Sequence, residues 1–253
     1  MTPWIAKPVP FNIGQSAAGE AAALPYPDSL GSDADSTSVS ATLNTTSEIL
    51  GSGCFEFNGT SNTCILPNDL DAMLSGAFTW SGWCYAASAD SSKTLTIISK
   101  PAAANWDGPL YHSFTIVQSG TNFIFTSNNQ STYVSLSNAV GGVGWHSLVV
   151  TKTSGNLFSF YVDDDTPVTA THDSTWGSQP WTIGLTPYAD GDRYWNSYID
   201  DMVFLKRVID SDAIESLWNA GSGNLASTLD HDDIIAYYNF DDIALENDAL
   251  PIE

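Results

Sequence analysis

From residue 53 onward the chain is written in short apolar and polar alternations broken by Gly, Asn, Asp and Ser. In LFSFYVD, Phe158, Phe160 and Val162 share one face while Leu157, Ser159 and Tyr161 share the other, which is the period of two that a strand imposes. CFEFNG, TCILP, AFTWSGWCYA, LTIISK, HSFTIVQ, NFIFTS, TYVSLS, WHSLVVTKT, LFSFYVD, WTIGL, SYIDDMVFLK and IIAYYNF all read as strands between turns. Each is expected to bury one face and wet its opposite. No helical pattern alternates with them, so parallel βαβ units are excluded. The fold expected is all-β, a two-sheet antiparallel jelly-roll sandwich.

One segment, DSDAIESLWNAGSG, reads as a short helix in the C-terminal half. Asp210 or Asp212 suits its N-cap, Ile214, Leu217 and Trp218 supply its apolar stripe, and Gly221 suits the C′ position. FEFNGTSNT reads as a hairpin with Cys54 and Cys64 at its flanks. Those two are either cross-strand neighbours able to bond or, with Cys84, buried free thiols.

Residues 1–50 differ. Pro3, Pro8, Pro10, Pro25 and Pro27 stand among small and polar residues without periodicity, the pattern of an extended Pro-rich arm leading into a first edge segment. Trp4, Ile5, Phe11 and Ile13 are too apolar for a free linker, so they are expected to anchor the arm on a partner or on the body. The organisation is then arm and edge segment over 1–50, sandwich over 51–245 and a tail over 246–253.

Composition narrows the partners. Twenty-nine acidic against 7 basic side chains give a formal net charge of -22, which repels phosphate backbones and anionic headgroups and argues against nucleic acid. No apolar run approaches the roughly 18–20 residues that span a bilayer, so membrane insertion is not expected. The opening MTPWIAKPVPFNIG lacks the features of a classical signal peptide.

Several of these segments also resemble a known family. GCFEFNGTSNTCILP at 53–67, AFTWSGWCYA at 77–86, TIISK at 96–100, WHSLVVTKTSGNLFSFYVDD at 145–164 and YIDDMVFLKRVIDSDAIESLWNAG at 198–221 stand in the order of a laminin-G-like, concanavalin A-like jelly roll. IIAYYNFDD at 234–242 is similar to its Tyr-x-Phe-Asp edge strand. The resemblance implies the sandwich. It leaves function open among lectins, glycan-cleaving enzymes, adhesion modules and structural spacers.

Glycan cleavage on such a fold needs two carboxylates flanking the scissile bond. The six glutamates, Glu20, Glu48, Glu56, Glu215, Glu246 and Glu253, have no acidic partner at strand spacing inside an expected sandwich strand. Asp200 and Asp201 are adjacent and would face opposite ways, while Asp163, Asp164 and Asp165 fall in a turn. No nucleophile elbow or metalloprotease pair is present. The chain is therefore expected not to be an enzyme.

Two calcium positions follow from the resemblance and the surplus of Asp. Asp200 would hold a structural ion with backbone carbonyls of the early arm, and Asp107, Asp190 and Asp192 would hold one at the sandwich rim. Rings at that rim also suit a pyranose. Trp106, Tyr111, Trp176, Tyr188, Tyr194 and Trp195 are the candidate platforms, with Asn105, Asp107, Asp190 and Arg193 as polar partners. Trp80, Trp83, Trp145 and Trp181 sit at strand positions that the fold would bury.

The leading expectation is a non-catalytic, lectin-like structural or adhesion protein on a virion surface or otherwise extracellular. It would be a phage capsid decoration or tail component held by its arm to other virion or surface proteins, or to further copies of itself. The alternative is a calcium-dependent carbohydrate-binding lectin, with a glycan hydrolase behind both.

Overall fold

A computed structural model describes residues 38–88, 91–101, 112–128, 132–186, 193–224, 229 and 233–241. The arm residues Trp4, Ile5, Phe11 and Ile13 lie outside the described residues. In chain order the strands are β1 (Ser38–Val39), β2 (Thr42–Asn44), β3 (Cys54–Glu56), β4 (Cys64–Leu66), β5 (Phe78–Ala86), β6 (Ser91–Pro101), β7 (His112–Gly120), β8 (Asn122–Asn128) and β9 (Tyr133–Ala139). Then come β10 (Gly144–Lys152), β11 (Leu157–Val162), β12 (Val168–Thr171), β13 (Trp181–Ile183), β14 (Leu185–Thr186), β15 (Arg193–Tyr194), β16 (Tyr198–Leu205), helix α1 (Ser211–Trp218) and β17 (Ile234–Tyr238). No helix among the described residues is long and apolar enough to cross a membrane.

The strands form two antiparallel sheets facing each other. One runs β1-β4-β13-β6-β7-β8-β9 and the other β12-β11-β10-β5-β16-β3-β2, with β17 beside β16 and β14–β15 as a separate ribbon. This is the jelly-roll sandwich that the alternation predicts. Its interior is aromatic: Phe114 packs against Phe125 with ring centroids 5.0 Å apart and against Trp181 at 5.1 Å. Such edge-to-face pairs add about 0.5–1.5 kcal/mol each beyond the area they bury. Phe158, Phe160 and Val162 all point into this core.

Sequence and structure part in four places. Cys54 and Cys64 do not flank a hairpin, because β3 pairs with β2 and β16 while β4 pairs with β1 and β13 in the opposite sheet. All three cysteines are buried and free. WTIGL breaks into β13 and β14 at Gly184, whose φ of +79° and contact with the Phe57 ring leave no room for a side chain. Helix α1 is capped by Asp210, which accepts from the Ala213 amide at 2.9 Å. It ends on Asn219 in the left-handed conformation, the role expected of Gly221.

The fourth difference shapes the rest of the molecule. The central strands β5, β10 and β16 are buried on both faces over most of their length. Helix α1 lies on the outer face of their sheet, where Ile214 and Leu217 join Val149, Val203, Leu205 and Tyr237 in a second apolar cluster. Trp218 stacks on Trp83 with centroids 5.8 Å apart. The helix covers one end of that face and leaves the other.

Candidate functional site

Strand register assembles a row of side chains at the uncovered end. Trp145 of β10 stands opposite Tyr85 of β5, Ile199 of β16 stands opposite Cys84, and Tyr198 stands opposite Glu56 of β3. Cys84, Ile199 and Phe55 belong to the inner core. Alternation therefore turns Trp145, Tyr85, Tyr198 and Glu56 outward together, across four adjacent strands.

The three rings touch. Tyr85 meets Trp145 and Tyr198 edge-on, each at 5.7 Å between centroids, while Trp145 and Tyr198 lean toward each other to 6.4 Å. All three are half-buried. Tyr85 and Tyr198 line a cleft of about 600 Å³ together with Ser47, Glu56, Phe57, Ala87, Asn196 and Ser197, and Trp145 packs behind them against both tyrosines. Aromatic faces beside a carboxylate, an amide and hydroxyls are what a sugar ring needs: a surface for its C–H groups, and acceptors and donors for its hydroxyls.

One wall is a strap, residues 45–52, between β2 and β3. It folds back over the sheet instead of turning at its edge. Trp145 Nε1 donates to the Ser47 carbonyl at 3.1 Å, and the amides of Ile49 and Leu50 both donate to Asp200 Oδ2 at 3.2 Å. The Ser52 amide donates to Asp241 Oδ1. Asn44 Nδ2 donates to Glu56 Oε2 at 2.9 Å, which fixes the carboxylate on the cleft wall.

Asp200 and Asp201 do not take opposite faces. Ile199 and Met202 both point inward, and register shifts between Asp200 and Val203 while Asp201 has a φ of +47°. The extra residue is a β-bulge, and it sets both carboxylates on the outer side. Asp201 accepts from the Tyr237 hydroxyl. Burial pushes the Asp200 carboxyl up to about 9, with the N–H bonds from Leu50, Ile49 and Asp201 opposing and the charge of Asp201 adding. Burial likewise pushes the Cys54 thiol up to about 12, helped by the charges of Asp200, Glu48 and Glu56.

Asp200 does not fit a structural calcium site as the sequence suggested. The early segment offers it amides rather than carbonyls, and its two oxygens accept from three backbone N–H groups, Asp201's at 2.8 Å included. Among the described residues no group of three or more His, Cys, Asp or Glu is placed to hold a metal. Asp107, Asp190 and Asp192 lie outside the described residues.

The rim candidates fare unevenly. Trp106, Tyr111 and Tyr188 also lie outside the described residues. Arg193 and Tyr194 are half-buried in β15. Trp195 is not at the rim: it is 1% exposed, packs in the inner core, and donates from Nε1 to the Tyr198 carbonyl at 3.2 Å. A ring enclosed on both faces offers a sugar nothing. Trp176 packs edge-on against Phe78 at 5.9 Å. Trp80, Trp83 and Trp181 are buried as expected, but Trp145 is not. The cleft residues Tyr85, Tyr198 and Glu56, and Trp145 behind them, had no local signal, because β3, β5, β10 and β16 come together only through sheet order.

Comparison with known proteins agrees with this architecture. Residues 58–215 match the family profile described as the concanavalin A-like lectin/glucanases superfamily, of the laminin G type. A search of curated proteins returns no match. Among solved structures, the binding domain of botulinum neurotoxin DC in complex with rat synaptotagmin II aligns with a TM-score of 0.58 at 16% identity, over 76% of this chain and 48% of that one. The same domain in complex with SialylT aligns with a TM-score of 0.54 at 16% identity, over 78% and 50%. The botulinum neurotoxin type G receptor binding domain gives 0.57 at 14%, over 81% and 52%. The chain thus spans about half the length of these structures, and the likeness is one of fold.

Proposed function

Because the chain belongs to the concanavalin A-like lectin/glucanases superfamily, we propose that it is a non-catalytic carbohydrate-binding module whose ligand lies in the outer-face cleft. The observation that carries this reading is the contact of Tyr85 and Tyr198, backed by Trp145, beside Glu56 and Asn196 in one cleft of about 600 Å³. Binding without cleavage is supported by the wall chemistry. Glu56 is the one acidic side chain among the described lining residues, whereas two-carboxylate hydrolysis needs a facing pair. Glycan binding suits an adhesion protein on an exposed surface, and the apolar residues Trp4, Ile5, Phe11 and Ile13 support attachment of that surface protein, to a virion or elsewhere, through the arm.

The test is a panel of neutral, amino and acidic glycans probed with and without chelator. Binding retained in chelator supports the cleft. Binding that needs calcium moves the site to the rim aspartates Asp107, Asp190 and Asp192. Silence across the panel overturns the reading. Deleting residues 1–25 should abolish attachment and leave the sandwich folded.

A further inference from the structure

The cleft has a charge as well as a shape: Glu56 is the one charged side chain among its described lining residues. Glu56 Oε2 takes the Asn44 amide, while Oε1 accepts no hydrogen bond from the described residues. The faces of the lining rings Tyr85 and Tyr198 carry the negative lobe of the ring quadrupole. No Lys, Arg or His is among the described lining residues. Lys100 is engaged by Asp71, Lys152 by the Gly76 carbonyl and Arg207 by Asp233. The chain as a whole carries a formal net charge of -22.

An anionic sugar entering this cleft meets repulsion and, among the described lining residues, no cation to pair with. A neutral sugar meets rings and hydrogen-bonding groups. A sugar bearing an ammonium meets those, plus a carboxylate oxygen and aromatic faces that both attract it. We propose that the cleft selects amino sugars with a free ammonium and rejects sialylated or sulfated glycans. This selectivity rests on the carbohydrate reading of the cleft, with Glu56 as its determinant.

The test titrates the full chain with three probes at mildly acidic pH, where the sugar amine is protonated. They are a linear glucosamine trisaccharide, its N-acetylated counterpart and sialyllactose. The glucosamine trisaccharide should bind about tenfold more tightly than the acetylated one, the gain expected of one charge-assisted contact, and sialyllactose should not bind measurably. Glu56→Gln should erase the preference, read as the ratio of the two trisaccharide affinities within the variant. Asp164→Asn removes an equal charge from an exposed turn and should leave the preference in place, which separates a local contact from general attraction to an acidic protein.

Equal affinity for the two trisaccharides overturns the selectivity and leaves the carbohydrate reading standing. So does tighter binding of sialyllactose, or a preference that Glu56→Gln leaves intact or that Asp164→Asn removes equally. Silence toward all three sugars is a separate result that overturns the carbohydrate reading and the selectivity together.

Discussion

Trp145 Nε1 donates to the Ser47 carbonyl across 3.1 Å, tying a strand residue of the outer sheet face to the strap that crosses it. The ring that backs the cleft tyrosines Tyr85 and Tyr198 is thereby positioned by residues about a hundred positions earlier in the chain. Trp145→Phe keeps an aromatic face and loses the donor. It should cost about 1 kcal/mol of stability, the net worth of one such bond, and weaken sugar binding only a few-fold. Thermal unfolding together with a glycan titration checks both; a loss as large as that of Trp145→Ala would show that the ring face is not what matters.

Asp200 gives the strap a pH dependence. Its folded-state value, about 9, stands above the ordinary 3.8, so between the two the folded chain keeps a proton that the unfolded chain has released. Its contribution is fully present below the unfolded value and is lost as pH rises through the folded one, with a slope of up to about 1.4 kcal/mol per pH unit. Asp200→Asn keeps the shape and removes the titration. Stability against unfolding should fall steadily from mildly acidic to mildly alkaline pH in the parent chain and flatten in the variant; parallel curves would contradict the account.

His146 adds a narrower dependence of the same sign. Its Nδ1 faces Asp163 Oδ2 at 2.7 Å and its Nε2 faces the Gly142 carbonyl at 3.1 Å, so both ring nitrogens point at acceptors. Burial lowers its affinity for a proton, yet the hydrogen bond and charge of Asp163 and the Gly142 carbonyl outweigh that and raise it above 6.5. The stabilisation is complete below that ordinary value and disappears as pH rises through the folded one. His146→Gln should remove only the part of the stability loss that lies above about pH 6.5, leaving the Asp200 component in place. A pH profile unchanged by the variant would refute the pairing.

Lys100 is a buried cation with one anionic partner. Its side chain is 0% exposed, its Nζ lies 2.7 Å from Asp71 Oδ1, and it also donates to the Gln179 carbonyl at 2.8 Å. Burial lowers its affinity for a proton, opposed by the hydrogen bond and charge of Asp71. Asp71→Ala strands that charge and should cost about 3 kcal/mol near neutral pH, less as pH rises and the amine neutralises. Lys100→Met removes the charge altogether and should cost markedly less. Denaturant unfolding of the two variants decides it; equal costs would mean the pair acts only by packing.

The strands were legible because Phe158, Phe160 and Val162 alternate with polar neighbours, and the helix because Asp210 precedes Ile214, Leu217 and Trp218 at helical spacing. Pairing was less legible. FEFNGTSNT has the composition of a hairpin turn, yet its flanking strands cross between sheets, and nothing local distinguishes the two outcomes. Trp145 looked like core because a tryptophan on a strand usually is. Whether its outward face is covered depends on how far helix α1, about seventy residues later, reaches across the sheet. Asp200 and Asp201 needed a bulge to share a side, which strict alternation cannot foresee.

The central claim is that the cleft of Tyr85, Tyr198 and Glu56 holds sugar, and titration of Tyr85→Ala against the parent chain tests it most directly. Tyr85 touches both other rings and lines the cleft, while its side chain lies outside the inner core. The account predicts that glycan binding found for the parent is lost in Tyr85→Ala while the variant still unfolds cooperatively, within a few degrees of the parent. A folded Tyr85→Ala chain that binds the same glycans with unchanged affinity would contradict it.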